Sequence, residues 1–200
     1  YEEIKPTDEV VFLFSSRLLV SKGVEEFMSA SKILKERYPN FSFIITGKFD
    51  PSNPETISEE LFNEIIKSEK YIGEISHTKM PDIYKKASVF VLPSYREGLP
   101  KVALEAACSE MPLILSNVSG CRDCLIEGQT GFLVGHNSWT DIRDKMLYFI
   151  QNKDQIILMG KKSRQFVESN FSGPKQAVKL KVKMIGIKYF KVNSFLTKID

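Results

Sequence analysis

The sequence has few of the residues on which secreted scaffolds, metal centres and redox sites depend. Its 200 residues include three cysteines and two histidines. An odd number of cysteines in a chain of this length argues against a disulfide scaffold. Cys121 and Cys124 form a C-x-x-C pair, but a structural zinc would need two further ligands at close spacing, and the third cysteine and both histidines stand singly. We therefore expect no metal ligands and no cofactor.

Patterns for dinucleotides, P-loop phosphates and membrane spans are also missing. No G-x-G-x-x-G follows the first apolar run, which argues against a dinucleotide-dependent oxidoreductase, and no P-loop motif is present. No run of about 18 apolar residues occurs, so a membrane-spanning helix is not expected. The chain begins with Tyr1 and shows no signal-peptide pattern, so we expect a cytoplasmic protein and interpret the chain as a part of a longer one.

Charge is distributed unevenly along the chain. Residues 171–200 hold seven of the 28 basic residues and one of the 25 acidic ones, so the preceding part is mildly acidic. An acidic body excludes nucleic acid as a partner. We divide the chain into a domain over 1–171 and a basic tail over 172–200, predicted to be helical. The tail either packs back on the fold or contacts the inner face of the cytoplasmic membrane, where each lysine near anionic headgroups contributes about 1 kcal/mol.

Short apolar runs alternate with helical patterns over most of the chain. The runs are rich in β-branched and aromatic residues and too short for helices, so they predict strands. The predicted strands cover residues 9–16, 41–47, 71–75, 88–94, 112–116 and 131–134. Apolar residues at three- and four-residue steps, among them Val24, Ile33 and Leu34, predict a helix after the first strand. This alternation indicates an α/β fold: a doubly wound, Rossmann-like parallel sheet of about six strands with helices on both faces.

Two basic residues follow the first predicted strand at the edge where such a sheet binds ligands. Ligands of doubly wound sheets lie outside the carboxyl ends of the strands. Arg17 and Lys22 occupy the loop that leads from this strand into the first helix. Together with the partial positive charge of the helix N-terminus, they would form an anion site. The alternative interpretation is a pair of solvated surface charges.

Two carboxylates flank the next helix start, in the stretch LPSYREGLPKVALEAA. On one unbroken helix, Glu97 and Glu105 would be about 12 Å apart along the axis. Gly98 breaks a helix and Pro100 suits its first position, so Glu97 is predicted in the loop and Glu105 in the second turn. Both carboxylates could then face one ligand. Carboxylates accept hydrogen bonds from hydroxyl groups, so with the basic residues they would suit a nucleotide sugar, whereas solvated surface acids are the alternative.

These motifs together resemble one family of enzymes. The segments FLFSSRLLVSKGVEEFMSA, YIGEI and VFVLPSYREGLPKVALEAACSEMPLILSNVSGCRDCLIEGQTGFLV occur in order from about Val10 to Phe171. They are similar to the carboxyl-terminal half of a family 4 glycosyltransferase, whose GT-B architecture consists of two facing Rossmann-like domains. The family signature is the Glu-x7-Glu spacing from Glu97 to Glu105, with LPS before it and GLP within it.

The resemblance implies a role for each of the four charged residues. Arg17 and Lys22 would hold the donor diphosphate, and Glu105 would bind the ribose of the nucleotide. Glu97 would contact the transferred sugar near its reacting centre. Glu97, Arg17 and Lys22 are therefore the predicted catalytic residues.

The resemblance also implies substrate-binding positions that act through small or backbone groups. These positions are Ser94, Gly98, Leu99, Pro100, Gly47 and Ile75. The amides of Gly98 and Leu99 would meet the sugar or the distal phosphate, and the main chain of Ile75 would meet the base. Gly47 would allow the donor to approach closely, although the G-x-G usual after that strand is shortened here to GKFD, which leaves Lys48 without a role.

Transfer of a hexose with retention of configuration is the activity that the resemblance implies. The donor would be a uridine-diphosphate sugar and the acceptor a glycan or a lipid-linked saccharide, as in polysaccharide biosynthesis. No Asp-x-Asp occurs, so the reaction is predicted to be metal-independent. The amino-terminal GT-B domain, which would carry the acceptor site, has no counterpart here, so little activity is expected from this chain alone.

Two other functions stay open at this point. A nucleotide-sugar epimerase of GT-B architecture would use the same donor site but would need an acid and a base, for which His77 and His136 are the only histidines. A non-catalytic nucleotide-sugar-binding module would keep the fold without transfer. Because all four charged positions are present, the transferase is the function that we expect.

Overall fold

Five of the apolar runs form one parallel sheet in the computed structural model, which describes residues 9–68 and 70–171. The strands are β1 (Val10–Ser15), β2 (Phe41–Thr46), β3 (Val89–Leu92), β4 (Leu113–Ser116) and β5 (Gly131–Val134). They pair in the order β2-β1-β3-β4-β5, and every pairing is parallel. The predicted α/β class with a Rossmann-like parallel sheet is therefore confirmed.

Helices connect the strands and cover both faces of the sheet. They are α1 (Val24–Lys35), α2 (Glu59–Lys67), α3 (Met80–Tyr84), α4 (Lys101–Cys108), α5 (Ser119–Arg122), α6 (Trp139–Gln151) and α7 (Lys153–Asn170). Side chains alternate between the two faces along a strand. Phe12 and Phe14 of β1 therefore belong to a core cluster with residues of α1 and α6, whereas Leu13 belongs to a second cluster with residues of α3 and α4.

The prediction of a strand over residues 71–75, the third of the six predicted along the chain, is wrong. A single bridge joins Tyr71 to Ile45 of β2, and no strand forms there. Gly73 has a φ of 75°, which ends the extended conformation after two residues. Ile72 is 40% exposed, so the segment lies along the rim of the sheet and its apolar residues do not mark a buried strand.

The chain around the predicted helix starts differs in two details. A 3-10 turn at Val20–Lys22 precedes α1, and the four-residue helix α5 follows β4; neither was predicted. Pro100 was predicted at the first helical position, but it is the N-cap of α4 with a ψ of 101°, and Lys101 begins the helix. An extended ψ is the usual N-cap conformation, so the proline still marks the helix start.

The predictions made for the basic tail, residues 172–200, lie outside the described residues. They comprise its helix, its packing against the domain and its contact with a membrane. In the part of the chain that the structure does describe, each helix is too short or too polar to cross a membrane.

Candidate functional site

The strand order brings two loops together at the carboxyl edge of the sheet. β1 lies between β2 and β3, so the chain runs from β1 to β2 on one side and returns across β1 to β3 on the other. The loops that follow β1 and β3 therefore meet at the switch point where doubly wound sheets bind ligands, and we call this place the crevice. Lys22 lies in the first loop and Glu97 in the second, and Lys22 Nζ donates to Glu97 Oε1 at 2.7 Å. Their side chains are 17% and 15% exposed, respectively. A largely shielded, charge-assisted bond of this kind is stronger than a surface ion pair.

Backbone contacts hold the two loops against each other. Gly23 has a φ of 73°, and a Cβ at this position would lie 2.3 Å from the carbonyl oxygen of Pro93. Glycine alone meets both demands. The N–H of Tyr95 donates to the carbonyl oxygen of Ser21 at 2.9 Å, one residue before Lys22. The Lys22–Glu97 pair is thus supported by direct contact between the two backbones.

Glu105 lies in the second turn of α4, as predicted, and a tyrosine orients its carboxylate. Tyr84, buried at the end of α3, donates its hydroxyl hydrogen to Glu105 Oε2 at 3.1 Å. Burial raises the pKa of Tyr84 well above its ordinary value, and the adjacent Glu105 charge raises it further, so the phenol remains a donor. The half-buried carboxylate held in this way offers acceptor oxygens that suit sugar hydroxyl groups.

Arg17, Gly98 and Leu99 are exposed at the same edge of the sheet. Arg17 lies two residues after the end of β1. Gly98 has open space where a Cβ would be placed, and Leu99 is 39% exposed. They lead into the N-cap Pro100, which has no N–H, so the free amides of the first turn of α4 begin at Lys101. Arginine and free helix amides at one edge favour an anionic ligand.

Gly47 and Ile75 have structural roles of their own. A Cβ on Gly47 would lie 1.6 Å from the carbonyl oxygen of Ser16, so glycine is needed where the loops after β1 and β2 meet. The carbonyl oxygen of Gly47 accepts the hydroxyl hydrogen of Tyr71 at 2.8 Å. Ile75 is half-buried against the core cluster that contains α3 and α4. Their contacts with a nucleotide stay predictions.

Ser94 lies in the interior of the loop that follows β3. The side chain is fully buried, and its hydroxyl donates to the Ser21 carbonyl oxygen at 3.3 Å. Its own carbonyl oxygen accepts the hydroxyl hydrogen of Ser116. Ser94 therefore joins the loop after β3 to its neighbours, because a hydroxyl buried between loops needs partners inside the protein, and its contact with a substrate stays a prediction.

Comparison with known proteins identifies the family of this chain. The sequence matches the family described as "Glycosyl transferases group 1" over residues 2–170. The chain belongs to the group 1 glycosyl transferases. This membership agrees with the resemblance noted from the motifs, at the level of the group.

Two curated relatives of this glycosyl transferase chain show how far the similarity extends. The capsular polysaccharide biosynthesis glycosyltransferase CapM of Staphylococcus aureus is 30% identical over 166 residues, which are 82% of this chain and 43% of CapM. The UDP-Gal:alpha-D-GlcNAc-diphosphoundecaprenol alpha-1,3-galactosyltransferase of Escherichia coli is 29% identical over 174 residues, 86% of this chain and 44% of the relative. The chain therefore spans less than half the length of these two relatives.

Solved structures confirm the fold of the group 1 glycosyl transferase chain. The sucrose-phosphate synthase of Thermosynechococcus elongatus superimposes with a TM-score of 0.74 at 24% identity, over 92% of this chain and 46% of that one. At this identity the similarity concerns the fold, which is the Rossmann-like half of a GT-B glycosyltransferase.

Sequence reasoning missed three residues that shape the crevice of this glycosyl transferase. Tyr84 orients Glu105, and Tyr95 bonds to the loop that carries Lys22. Gly120 of α5 lies behind the loop, where a Cβ would be 1.8 Å from the Gly98 carbonyl oxygen. The motif SGCRD contained the only sequence indication of Gly120, and neither tyrosine stood out from the apolar pattern.

The cysteines of the glycosyl transferase chain are structural. Cys121 is fully buried, and burial raises the pKa of its thiol to about 11; Cys124 is also buried, and burial raises its pKa to about 12. Thiols with such pKa values are poor nucleophiles and poor metal ligands at neutral pH. Within residues 9–68 and 70–171, no group of three or more histidine, cysteine, aspartate or glutamate side chains could hold a metal ion.

Proposed function

We propose that this chain is the donor-binding half of a retaining, family 4 glycosyltransferase. It would bind a uridine-diphosphate sugar, and the hexose would go to a glycan or lipid-linked acceptor held by a separate amino-terminal GT-B domain. One observation carries the proposal: Lys22 and Glu97 form a shielded pair at the switch point of the sheet, beside the N-terminus of α4. A cation and a carboxylate at that position suit a phosphate and a sugar hydroxyl, respectively.

In the proposed reaction the bond between the anomeric carbon and the diphosphate oxygen breaks, and the diphosphate leaves with the electron pair. Arg17, Lys22 and the amides at the start of α4 would stabilise the negative charge that develops on it. Lys22 carries three N–H donors, so it could bind a phosphate oxygen while it still holds Glu97. The acceptor hydroxyl would attack from the same face, and a donor phosphate oxygen would take its proton. No metal ion is needed in this scheme.

The relatives support the class of substrate. The name of the Escherichia coli relative specifies a UDP-sugar donor and a diphosphoundecaprenol acceptor, and that of CapM specifies capsular polysaccharide synthesis. A UDP-sugar suits the crevice residues, since a nucleoside diphosphate needs cations and a sugar needs acceptors. We infer a uridine-diphosphate hexose for this chain on that basis.

A thermal-shift screen tests the proposed function. At about 100 times its dissociation constant, a ligand stabilises the folded chain by roughly 2.7 kcal/mol. For a chain of this size that corresponds to a rise of about 5–10 °C in melting temperature. We expect this rise with UDP and at least one UDP-hexose, in buffer with excess EDTA as well as without it. GDP and NAD are the controls and should give smaller shifts.

The screen has outcomes that contradict the proposal. If no uridine nucleotide raises the melting temperature, the assignment of the crevice to a donor fails. If UDP raises it only when EDTA is absent, the donor site stands but metal-independence is wrong. Transfer of labelled hexose to an acceptor, measured with the amino-terminal domain supplied, then separates a transferase from a module that only binds.

Tyr84→Phe tests the proposed contact between Glu105 and the ribose. The substitution keeps the buried ring and removes the hydroxyl that donates to Glu105 Oε2. A net hydrogen bond to a charged group contributes about 1.5–3 kcal/mol. Without this bond the Glu105 carboxylate would no longer be held in one orientation toward the ribose. We therefore expect the variant to bind UDP about five- to tenfold more weakly in a calorimetric titration.

A matched ligand isolates the effect of Tyr84. UDP that lacks the 2′- and 3′-hydroxyl groups cannot use Glu105, so Tyr84→Phe should leave its affinity unchanged. Glu105→Ala should remove most of the preference for UDP over this analogue. Equal losses for both ligands in Tyr84→Phe would mean that the hydroxyl matters for packing and not for ribose recognition.

A further inference from the structure

A buried carboxylate stands behind the candidate site. Glu26 is the third residue of α1 and is 7% exposed, whereas most surrounding residues of that helix face are apolar. Its Oε1 accepts the hydroxyl hydrogen of Tyr95, and its Oε2 has no hydrogen-bond partner among the described residues. A buried carboxylate is costly unless it is hydrogen-bonded, so the bond from Tyr95 is the contact that makes this position tolerable.

Tyr95 connects Glu26 to two other parts of the carboxyl edge. Its N–H donates to the Ser21 carbonyl oxygen at 2.9 Å. Its ring lies 4.6 Å from the ring of His136, and its hydroxyl oxygen is 3.2 Å from Asn137 Oδ1, both in the loop after β5. The phenol has a single hydrogen, and the charged carboxylate is its stronger acceptor. Tyr95 therefore ties α1, the loop after β1 and the loop after β5 to one point.

Tyr95 and its partner Ser21 lie close in sequence to the Lys22–Glu97 pair, one in the loop after β3 and the other in the loop after β1. Tyr95 lies two residues before Glu97, and Ser21 lies one residue before Lys22. If Tyr95 moved away from Glu26 on α1, the loop after β3 would move with it, and Glu97 would change its position relative to Lys22. Burial raises the pKa of Tyr95 well above its ordinary value, and the Glu26 carboxylate raises it further, so the hydroxyl stays protonated.

We propose that the Tyr95–Glu26 bond is a latch that positions the Lys22–Glu97 pair for the donor diphosphate. The proposal rests on the proposed function for the identity of the ligand. Its two residues, Tyr95 and Glu26, belong to the support of the crevice and not to its ligand-binding surface. Tyr95 and Glu26 are positioning residues: they act through Lys22 and Glu97 and do not touch the donor. Without the phenol hydrogen, both oxygens of Glu26 would be buried without a donor, and the loop after β3 would have to move to admit water.

The test uses the 200-residue chain, with Tyr95→Phe as the main variant. We expect Tyr95→Phe to weaken UDP binding about tenfold and to speed hydrogen exchange at the amide of residue 95, which donates to Ser21. Glu26→Leu should do the same, because it removes the acceptor. Glu26→Gln keeps an oxygen acceptor of the same shape, so it should bind UDP within about twofold of the original chain.

Two further variants separate positioning from general loss of stability. Tyr148→Phe removes a phenol hydroxyl from α6, away from the crevice, and should leave the UDP affinity unchanged. In a Lys22→Ala background, Tyr95→Phe should cause little further loss of affinity, because the latch acts through Lys22. If the two substitutions acted independently, their fold-losses of UDP affinity would instead multiply in the double variant.

Each outcome bears on the latch or on the proposed function separately. Unchanged exchange at residue 95 and unchanged UDP affinity in Tyr95→Phe would overturn the latch. Multiplied losses in the Lys22→Ala background would also overturn it, since Tyr95 would then act by another route. Faster exchange at residue 95 in a chain that never bound UDP would support the latch and contradict the proposed function.

Discussion

Lys22→Ala is expected to reduce the affinity of the chain for UDP by at least tenfold. The substitution would remove the proposed charge-assisted bond to the diphosphate. Such a bond contributes about 1.5–3 kcal/mol, and 1.4 kcal/mol corresponds to a factor of ten. It also leaves Glu97, whose side chain is 15% exposed, without the ion-pair partner that lies 2.7 Å away. An unpaired carboxylate near the phosphates would repel them, so the loss should lie in the upper part of that range. Calorimetric titration with UDP measures it.

The ion pair supplies its own matched control. Glu97→Gln removes the charge of the carboxylate but keeps an oxygen that can accept from Lys22 Nζ, so UDP affinity should stay within about twofold, while transfer of the sugar, measured with the amino-terminal domain supplied, should fall. Both single substitutions should lower the melting temperature, since each weakens a largely buried pair. A loss of UDP affinity in Lys22→Ala alone, with similar effects on stability in both variants, can therefore be assigned to the phosphate contact.

Arg17→Ala and Lys32→Ala complete the series. Arg17 is exposed at the crevice, and its loss should weaken UDP binding about tenfold with little change in stability. Lys32 on α1 forms a surface pair with Glu64 at 3.6 Å and should have no effect on UDP. Unchanged UDP affinity in both Lys22→Ala and Arg17→Ala would remove the phosphate assignment.

The edge that holds the candidate site could be predicted from the sequence, but the pairing within it could not. Alternating apolar runs and helical patterns placed the loops of Lys22 and Glu97 at the carboxyl ends of two strands. Their contact depends on β1 lying beside β3, and that neighbour relation is set by how the whole chain folds over the sheet.

Periodicity misjudged the burial of two residues on α1, Ile33 and Glu26. On α1, the three- and four-residue spacing placed Ile33 toward the core, yet this side chain is 39% exposed. Glu26 fell outside the apolar positions but is buried, because the loop that follows β3 covers the first turn of α1 and Tyr95 bonds to it. A helical period describes which face a residue occupies; it does not describe how far a loop from elsewhere extends over that face.

Gly120→Ala is expected to disturb both the stability and the donor site. A Cβ at residue 120 would lie 1.8 Å from the Gly98 carbonyl oxygen and 2.5 Å from that of Glu97. These are backbone atoms and cannot rotate away, so either α5 or the loop at Glu97 must shift. Overpacking of this kind costs about 1–3 kcal/mol of unfolding free energy. Because Cys121 fixes α5 in the core, we expect the exposed loop to move and UDP-sugar affinity to fall by at least tenfold.

Alanine substitutions at two other glycines separate the clash at residue 120 from the general effects of replacing glycine by alanine. Gly128 has a φ of 70° and open space around it, so Gly128→Ala should lower the unfolding free energy by about 1 kcal/mol without weakening UDP-sugar binding. Gly98 also has open space, so Gly98→Ala should leave the stability unchanged and should weaken binding only if the donor approaches its backbone. Chemical denaturation gives the stability of each variant, and calorimetry gives its affinity. Gly120→Ala with normal affinity would show that α5, and not the loop at Glu97, yields to the added methyl group.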